Sequence, residues 1–120
     1  MSEVKLHVAN LDHFFAGATE AVNRVDAGDD SEQEGVIAFE SMELLLQVLT
    51  ANRWRLLRAL SGHSPTSIRH LAKLLQRDYR GVHADVTSLL DVGLIKRTES
   101  GKIMLPWRRI SVQMDTDLAA

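Results

Sequence analysis

The order of apolar and polar positions divides the chain into segments. Val4, Leu6 and Val8 alternate with Glu3, Lys5 and His7, the period of a half-buried strand. Asn10 or Asp12 can cap a helix in which Leu11, Phe14, Phe15, Ala18, Val22 and Val25 form one stripe, ending near Ala27–Gly28. The run DAGDDSEQEG is an acidic loop, and GVIAFES reads as a second short strand with Ser41 placed to cap a helix after it. MELLLQVLT is apolar on nearly every side and predicts a buried helix. Thr50 or Asn52 can cap the next helix, RWRLLRALS, with Trp54, Leu57 and Leu60 facing inward and Arg53, Arg55 and Arg58 facing water. Gly62, Ser64 and Pro65 break it.

The segment 66–97, TSIRHLAKLLQRDYRGVHADVTSLLDVGLIKR, carries the strongest pattern. Thr66 or Ser67 caps a helix whose inner face is Ile68, Leu71, Ala72 and Leu75. A turn at Leu75-Gln76-Arg77 comes next, and Asp78 stands where a second helix would be capped. In that helix Val82, Val86, Leu89 and Leu90 point inward, which leaves Tyr79, Arg80, Gly81, His83, Ala84 and Thr87 on the other side. Gly93 sits where a left-handed residue closes a Schellman motif, with Leu94 as the accompanying apolar contact. LIKRT and KIMLP pair around Glu99-Ser100-Gly101 as a hairpin carrying Lys96, Arg97 and Lys102, and Pro106 limits further pairing. Trp107 is expected to cover the core beside Trp54.

Two helices, a tight turn and a basic hairpin form the pattern of a winged helix-turn-helix, which places the first turns of its second helix in the major groove of duplex DNA. The fold class expected is therefore α+β, a winged helix-turn-helix domain with an N-terminal strand-helix-strand unit. The expected divisions are residues 1–40 as a dimerisation or partner-binding unit, 41–112 as the DNA-binding domain and 113–120 as a flexible tail. Arg80 can pair bidentately with guanine, and Ala84 and Thr87 can meet a thymine methyl group. Ser67, Arg69 and Arg77 on the first helix and turn are further DNA-binding positions, and Lys96, Arg97 and Lys102 on the hairpin suit phosphates or the minor groove. Gly81 lowers helix propensity; either it allows close approach to DNA or a poor helix former is tolerated near a helix start.

A net charge of −2 speaks against a polyanionic partner until the charges are placed. Residues 1–50 hold ten acids against Lys5 and Arg24, a net −8, whereas residues 51–110 hold twelve cations against four acids, a net +8. Encounter with a polyanion follows the local field, and the basic half coincides with the two-helix pattern.

LTANRWRLLRAL, SIRHLAKLLQRDYRGVHADVTSLL and DVGLIKR resemble MarR-like winged-helix transcriptional regulators of bacteria and archaea. The resemblance spans about residues 36–110, and LAKLLQRDYRGVHADV followed by GLI is its most specific part. It implies DNA-reading positions at Arg80, Gly81, His83, Ala84 and Thr87 and wing positions at Lys96, Arg97 and Lys102. Some members of that group are antitoxins encoded beside a toxin, so the resemblance also implies a cognate toxin as a second kind of partner.

Other chemistries find little support. With no cysteine, disulfides, thiolate zinc sites and cysteine nucleophiles are excluded. Histidines 7, 13, 63, 70 and 83 show no ligand spacing, the serines have no nucleophile-elbow context, and the acidic loop lacks an alternating calcium pattern. The chain is expected to be no enzyme and to need no metal or cofactor. MSEVKLHVAN lacks the basic and apolar regions of a secretory signal, and no apolar run approaches ~20 residues, so a cytoplasmic protein with no membrane association is expected. The stripe Leu11, Phe14, Phe15, Ala18 and Val22 either completes a small core or forms the interface of a homodimer that reads two half-sites. Three functional classes remain in view: a dimeric DNA-binding repressor of its own operon, an antitoxin-type protein that neutralises a partner through its acidic half, and a winged helix used purely as a protein scaffold, against which the twelve cations of residues 51–110 argue.

Overall fold

The structure, a computed structural model, describes residues 2–8 and 34–115. The expected helix over 11–27, with Leu11, Phe14, Phe15, Ala18 and Val22, lies outside the described residues, as do most of the acidic loop and residues 116–120. The described chain is α+β, in the order β1 (Glu3–Val8), β2 (Glu34–Phe39), α1 (Met42–Val48), α2 (Ala51–His63), α3 (Ile68–Leu75), α4 (Tyr79–Val92), β3 (Lys96–Arg97), β4 (Ile103–Met104) and β5 (Arg109–Gln113). It divides into two units, residues 1–45 with 109–120, and residues 46–108.

The first unit holds a three-stranded sheet in the order β2-β1-β5, with β1 parallel to both neighbours. Parallel pairing needs a crossover of a dozen or more residues, and residues 9–33 are long enough to supply one. Opposite residues in the ladder share a face, so Val4 lines up with Gly35 and Ile110, and Leu6 with Ile37 and Val112. Val4, Leu6 and Phe39 are buried on this face, whereas Glu3, Lys5 and His7 stand on the other. On that polar face the Ser111 hydroxyl donates to Glu3 Oε1 at 2.7 Å. Strand β5 corrects the expected divisions. Residues 109–112 pair with the N-terminal strand instead of belonging to the second domain, and Gln113 continues the strand rather than opening a tail. RISVQ alternates polar and apolar residues with period two, so the signal was present but short.

The division between the units falls after Leu45, within the residues of α1. The Ser41 hydroxyl accepts from the Leu44 amide at its start, as expected of a cap. Its burial departs from expectation: only Leu45 is buried, and Leu44 and Leu46 are exposed. The apolar residues surround the helix, and only the side that carries Leu45 is covered.

In the second unit Thr50 caps α2 by accepting from the Arg53 amide at 3.3 Å. Leu56, Leu57 and Leu60 form its buried arc, while Trp54 is 38% exposed and does not face the core as predicted. At about 100° per residue, Arg53 stands three and four positions before Leu56 and Leu57, inside that arc, and Trp54 lies at its edge. Arg53 was expected to face water, and the structure turns it inward. The helix also runs through Gly62 to His63 before the break.

Helix α3 packs against both α2 and α4. Ser67 caps it, accepting from the His70 amide at 3.1 Å, and Leu71 and Ala72 are buried. Gln76 then takes a left-handed conformation (φ 54°) and closes a Schellman motif: the Gln76 amide donates to Lys73 O and the Arg77 amide to Ala72 O, both at 3.1 Å. Asp78 occupies the cap position of α4, but its side chain makes no capping hydrogen bond. At the other end Gly93 (φ 89°) closes a second Schellman motif, with amide bonds from Gly93 to Leu90 O and from Leu94 to Leu89 O. Leu89 and Leu94, the apolar pair of that motif, are both fully buried.

Strands β3 and β4 then pair antiparallel as a hairpin shorter than LIKRT and KIMLP suggest. Thr66, just before α3, adds a bridge to Ile103, its amide and carbonyl bonding to Ile103 at 3.0 and 2.8 Å. Trp107 is half-buried, and its indole N–H donates to Gly93 O at 3.3 Å. Its polar partner is thus the residue that ends α4, whereas Trp54 is exposed.

Candidate nucleic-acid interface

Helix α4 has two chemically distinct sides because its apolar residues recur three and four positions apart. Val82, Val86 and Leu89 are fully buried, which fixes the helix's rotation about its axis. Tyr79, Arg80, His83, Ala84 and Thr87 are consequently exposed together over its first turns. Removing a buried valine or leucine contact from this inner face costs on the order of 1–3 kcal/mol, so the outer set is firmly oriented.

The outer face is organised by contacts among its own members. The Arg69 guanidinium from α3 lies over the Tyr79 ring, 5.7 Å from its centroid, and the Tyr79 and His83 rings are 5.8 Å apart and tilted. The structure therefore brings Arg69, Tyr79 and His83 into one exposed cluster beside Arg80. The Thr87 hydroxyl donates to His83 O at 2.9 Å, so Thr87 presents its methyl group and an accepting oxygen outward. Ser67 is exposed, and while its oxygen accepts the capping bond, its hydroxyl hydrogen remains available to donate.

Arg77 does not join this face. It is about one-quarter exposed, and its Nη2 lies 2.9 Å from Asp85 Oδ2. Arg53 approaches the same carboxylate from α2, its Nε donating to Asp85 Oδ1 at 3.0 Å. Gly81 lies beside the Arg77 arm. A Cβ on Gly81 would sit 3.4 Å from Arg77 Nη2, so the bare backbone at 81 flanks the arm that runs to the acid four residues on. Gly81 is accordingly half-buried.

The hairpin carries the remaining cations. Lys96, Arg97 and Lys102 are all exposed, but the first two are neighbours on a strand and point to opposite sides. Lys96 Nζ lies 5.9 Å from the Trp107 ring centroid, whereas Arg97 Nη1 donates to Gly101 O at 3.4 Å, within the turn. That turn is held by Gly101 in a left-handed conformation (φ 85°) and by the Thr98 hydroxyl oxygen, which accepts from the Lys102 amide at 3.1 Å. Asp85 and Arg53 are the residues that sequence reasoning missed. Asp85 is the single acid in YRGVHADVTSLL, a visible anomaly in a basic stretch, but nothing in the sequence ties it to a residue 32 positions earlier.

Among the described residues no group of three or more histidines, cysteines, aspartates or glutamates could hold a metal ion, and no helix is long and apolar enough to cross a membrane.

The family described as HVO_A0114 matches residues 48–112, just over half of the chain. The chain belongs to the HVO_A0114 family. No curated protein and no solved structure matches it. The matched stretch takes in α2, α3, α4 and the hairpin, so the family is defined by the part of the chain that carries the exposed face of α4.

Proposed function

We propose that this chain is a sequence-specific regulator that binds double-stranded DNA, and that residues 46–108 act as a winged helix-turn-helix. In this reading α3 and α4 are the helix pair, α4 enters the major groove and the β3–β4 hairpin is the wing. The observation that carries it is the exposed, chemically mixed face of α4, Tyr79, Arg80, His83, Ala84 and Thr87, set opposite a fully buried apolar face. Arg80 supplies a fork for guanine, Ala84 and the Thr87 methyl group supply apolar contacts for thymine, and Lys96, Arg97 and Lys102 supply charge for phosphates. The resemblance to MarR-like regulators and the net +8 over residues 51–110 support the same reading. A dimer reading two half-sites, acting as a repressor of its own operon, extends it.

The test separates base reading from phosphate binding. Duplexes bound by the full chain are selected from a random pool, and affinities for the selected and a scrambled duplex are measured at several salt concentrations. Arg80→Ala should abolish most of the preference for the selected duplex, a loss of about 1–3 kcal/mol. Lys102→Ala should weaken both duplexes alike and lower the salt slope by about 1. Preference unchanged in Arg80→Ala would remove that residue from the reading face.

A further inference from the structure

Three groups from three elements meet beside α4. Asp85, about 15% exposed, stands between Arg53 of α2 and Arg77 of the turn after α3. Arg53 uses a second nitrogen, Nη1, to donate to the carbonyls of Gln47 and Val48, at 3.1 and 3.0 Å, where α1 ends. Its guanidinium thus joins the end of α1 to α4 while being rooted in α2. Arg77 Nη1 and Asp85 Oδ2 are buried without a hydrogen-bond partner, so Oδ2 is held by the charge of Arg77 Nη2 at 2.9 Å while the Arg77 side chain as a whole stays about one-quarter exposed. A cation that contacts a phosphate must present its donors outward, and Arg77 keeps Nη1 buried and Nη2 on Asp85.

We infer that Asp85, clasped by Arg53 and Arg77, is a latch that sets the pose of α4, and that Arg77 is a positioning residue for DNA recognition rather than a phosphate contact. The inference rests on the DNA-binding reading for its consequence, but the latch itself belongs to the free protein. The buried apolar face of α4 fixes rotation about its axis, and a lateral tie at Asp85 fixes the remaining tilt and slide against α2 and α3. Base contacts need that pose more than phosphate contacts do, because base edges are read by bidentate geometry and phosphates by charge. Loss of the latch therefore lowers selectivity before it lowers general affinity.

The experiment uses the full chain with two variants that keep side-chain volume, Asp85→Asn and Arg77→Met, and two readouts taken well below the unfolding midpoint. The first is binding to the selected and scrambled duplexes across salt. Both variants should lower the ratio of the two affinities by about tenfold, the size of losing one base contact, with the salt slope unchanged. An Arg77→Met variant whose slope falls by about 1, with equal loss on both duplexes, would make Arg77 a phosphate contact and overturn the inference. The second readout is amide hydrogen exchange of α4 in the free protein, which should quicken by about tenfold in Asp85→Asn. Should the parent chain bind no duplex selectively, the DNA-binding reading falls, and exchange alone judges the latch. Unchanged exchange in Asp85→Asn would dismiss it.

Discussion

Single residues decide how the basic half of the chain presents itself, and Gly81 shows this most clearly. Near the start of a helix, a glycine in place of alanine costs roughly 0.5–1 kcal/mol. Here a Cβ would meet Arg77 Nη2 at 3.4 Å, an ordinary contact, so the fold does not require glycine. Gly81→Ala should therefore raise unfolding stability by about 0.5–1 kcal/mol in urea titration, and a loss of stability would show that Arg77 cannot accommodate the methyl group. If α4 approaches DNA closely at this position, the same variant binds the selected duplex more weakly while being more stable. Both roles that its residue type suggests for Gly81 are separated by that one substitution. Arg53 and Arg77 carry the opposite lesson. As letters they are cations in a basic stretch, and only the fold reveals that both face Asp85. Burial and pairing depend on which residues meet across 8 or 32 positions, which no local pattern encodes.

At the scale of elements, much of the second unit could be read from spacing. Ser67 as a cap, Gly93 and Leu94 as a Schellman closure and the inward set Val82, Val86 and Leu89 follow from local rules. These rules act within a few residues, so a single sequence suffices to apply them. The exceptions are equally physical. Gln76 holds a left-handed position usually given to glycine, and its residue type does not announce this. α1 leaves Leu44 and Leu46 exposed, because periodicity reports apolar character and not whether cover exists. β5 joins β1 across more than a hundred positions, a pairing that alternation alone cannot assign. The hairpin depends on a similar long-range tie: Ile103 is fully buried and bridges Thr66 as well as pairing with Arg97. Ile103→Ala should cost about 2–4 kcal/mol and quicken amide exchange in the hairpin before α4 is affected. Equal loosening of α4 would show that the hairpin and the helix pair open as one body.

Across the whole molecule, a net −2 conceals two halves of opposite sign, and the structure places the boundary between its two units at residues 45–46 and 108–109. The second unit, within which nearly all of the HVO_A0114 match falls, carries the exposed face of α4 and the cationic hairpin. The expected dimer or partner interface along Leu11–Val25 lies outside the described residues, so the acidic half contributes no geometry to the functional reading. That reading consequently stands on one property, the recognition of duplex DNA by residues 46–108 through α4. Selection of bound fragments from random duplex DNA by the full chain, repeated at two salt concentrations, tests it without intermediaries. The expected outcome is an enriched sequence, affinity that falls steeply as salt rises, and, for a dimer, half-sites about one helical turn (~34 Å) apart. Recovery of no preferred sequence, with binding absent or indifferent to salt, would refute it.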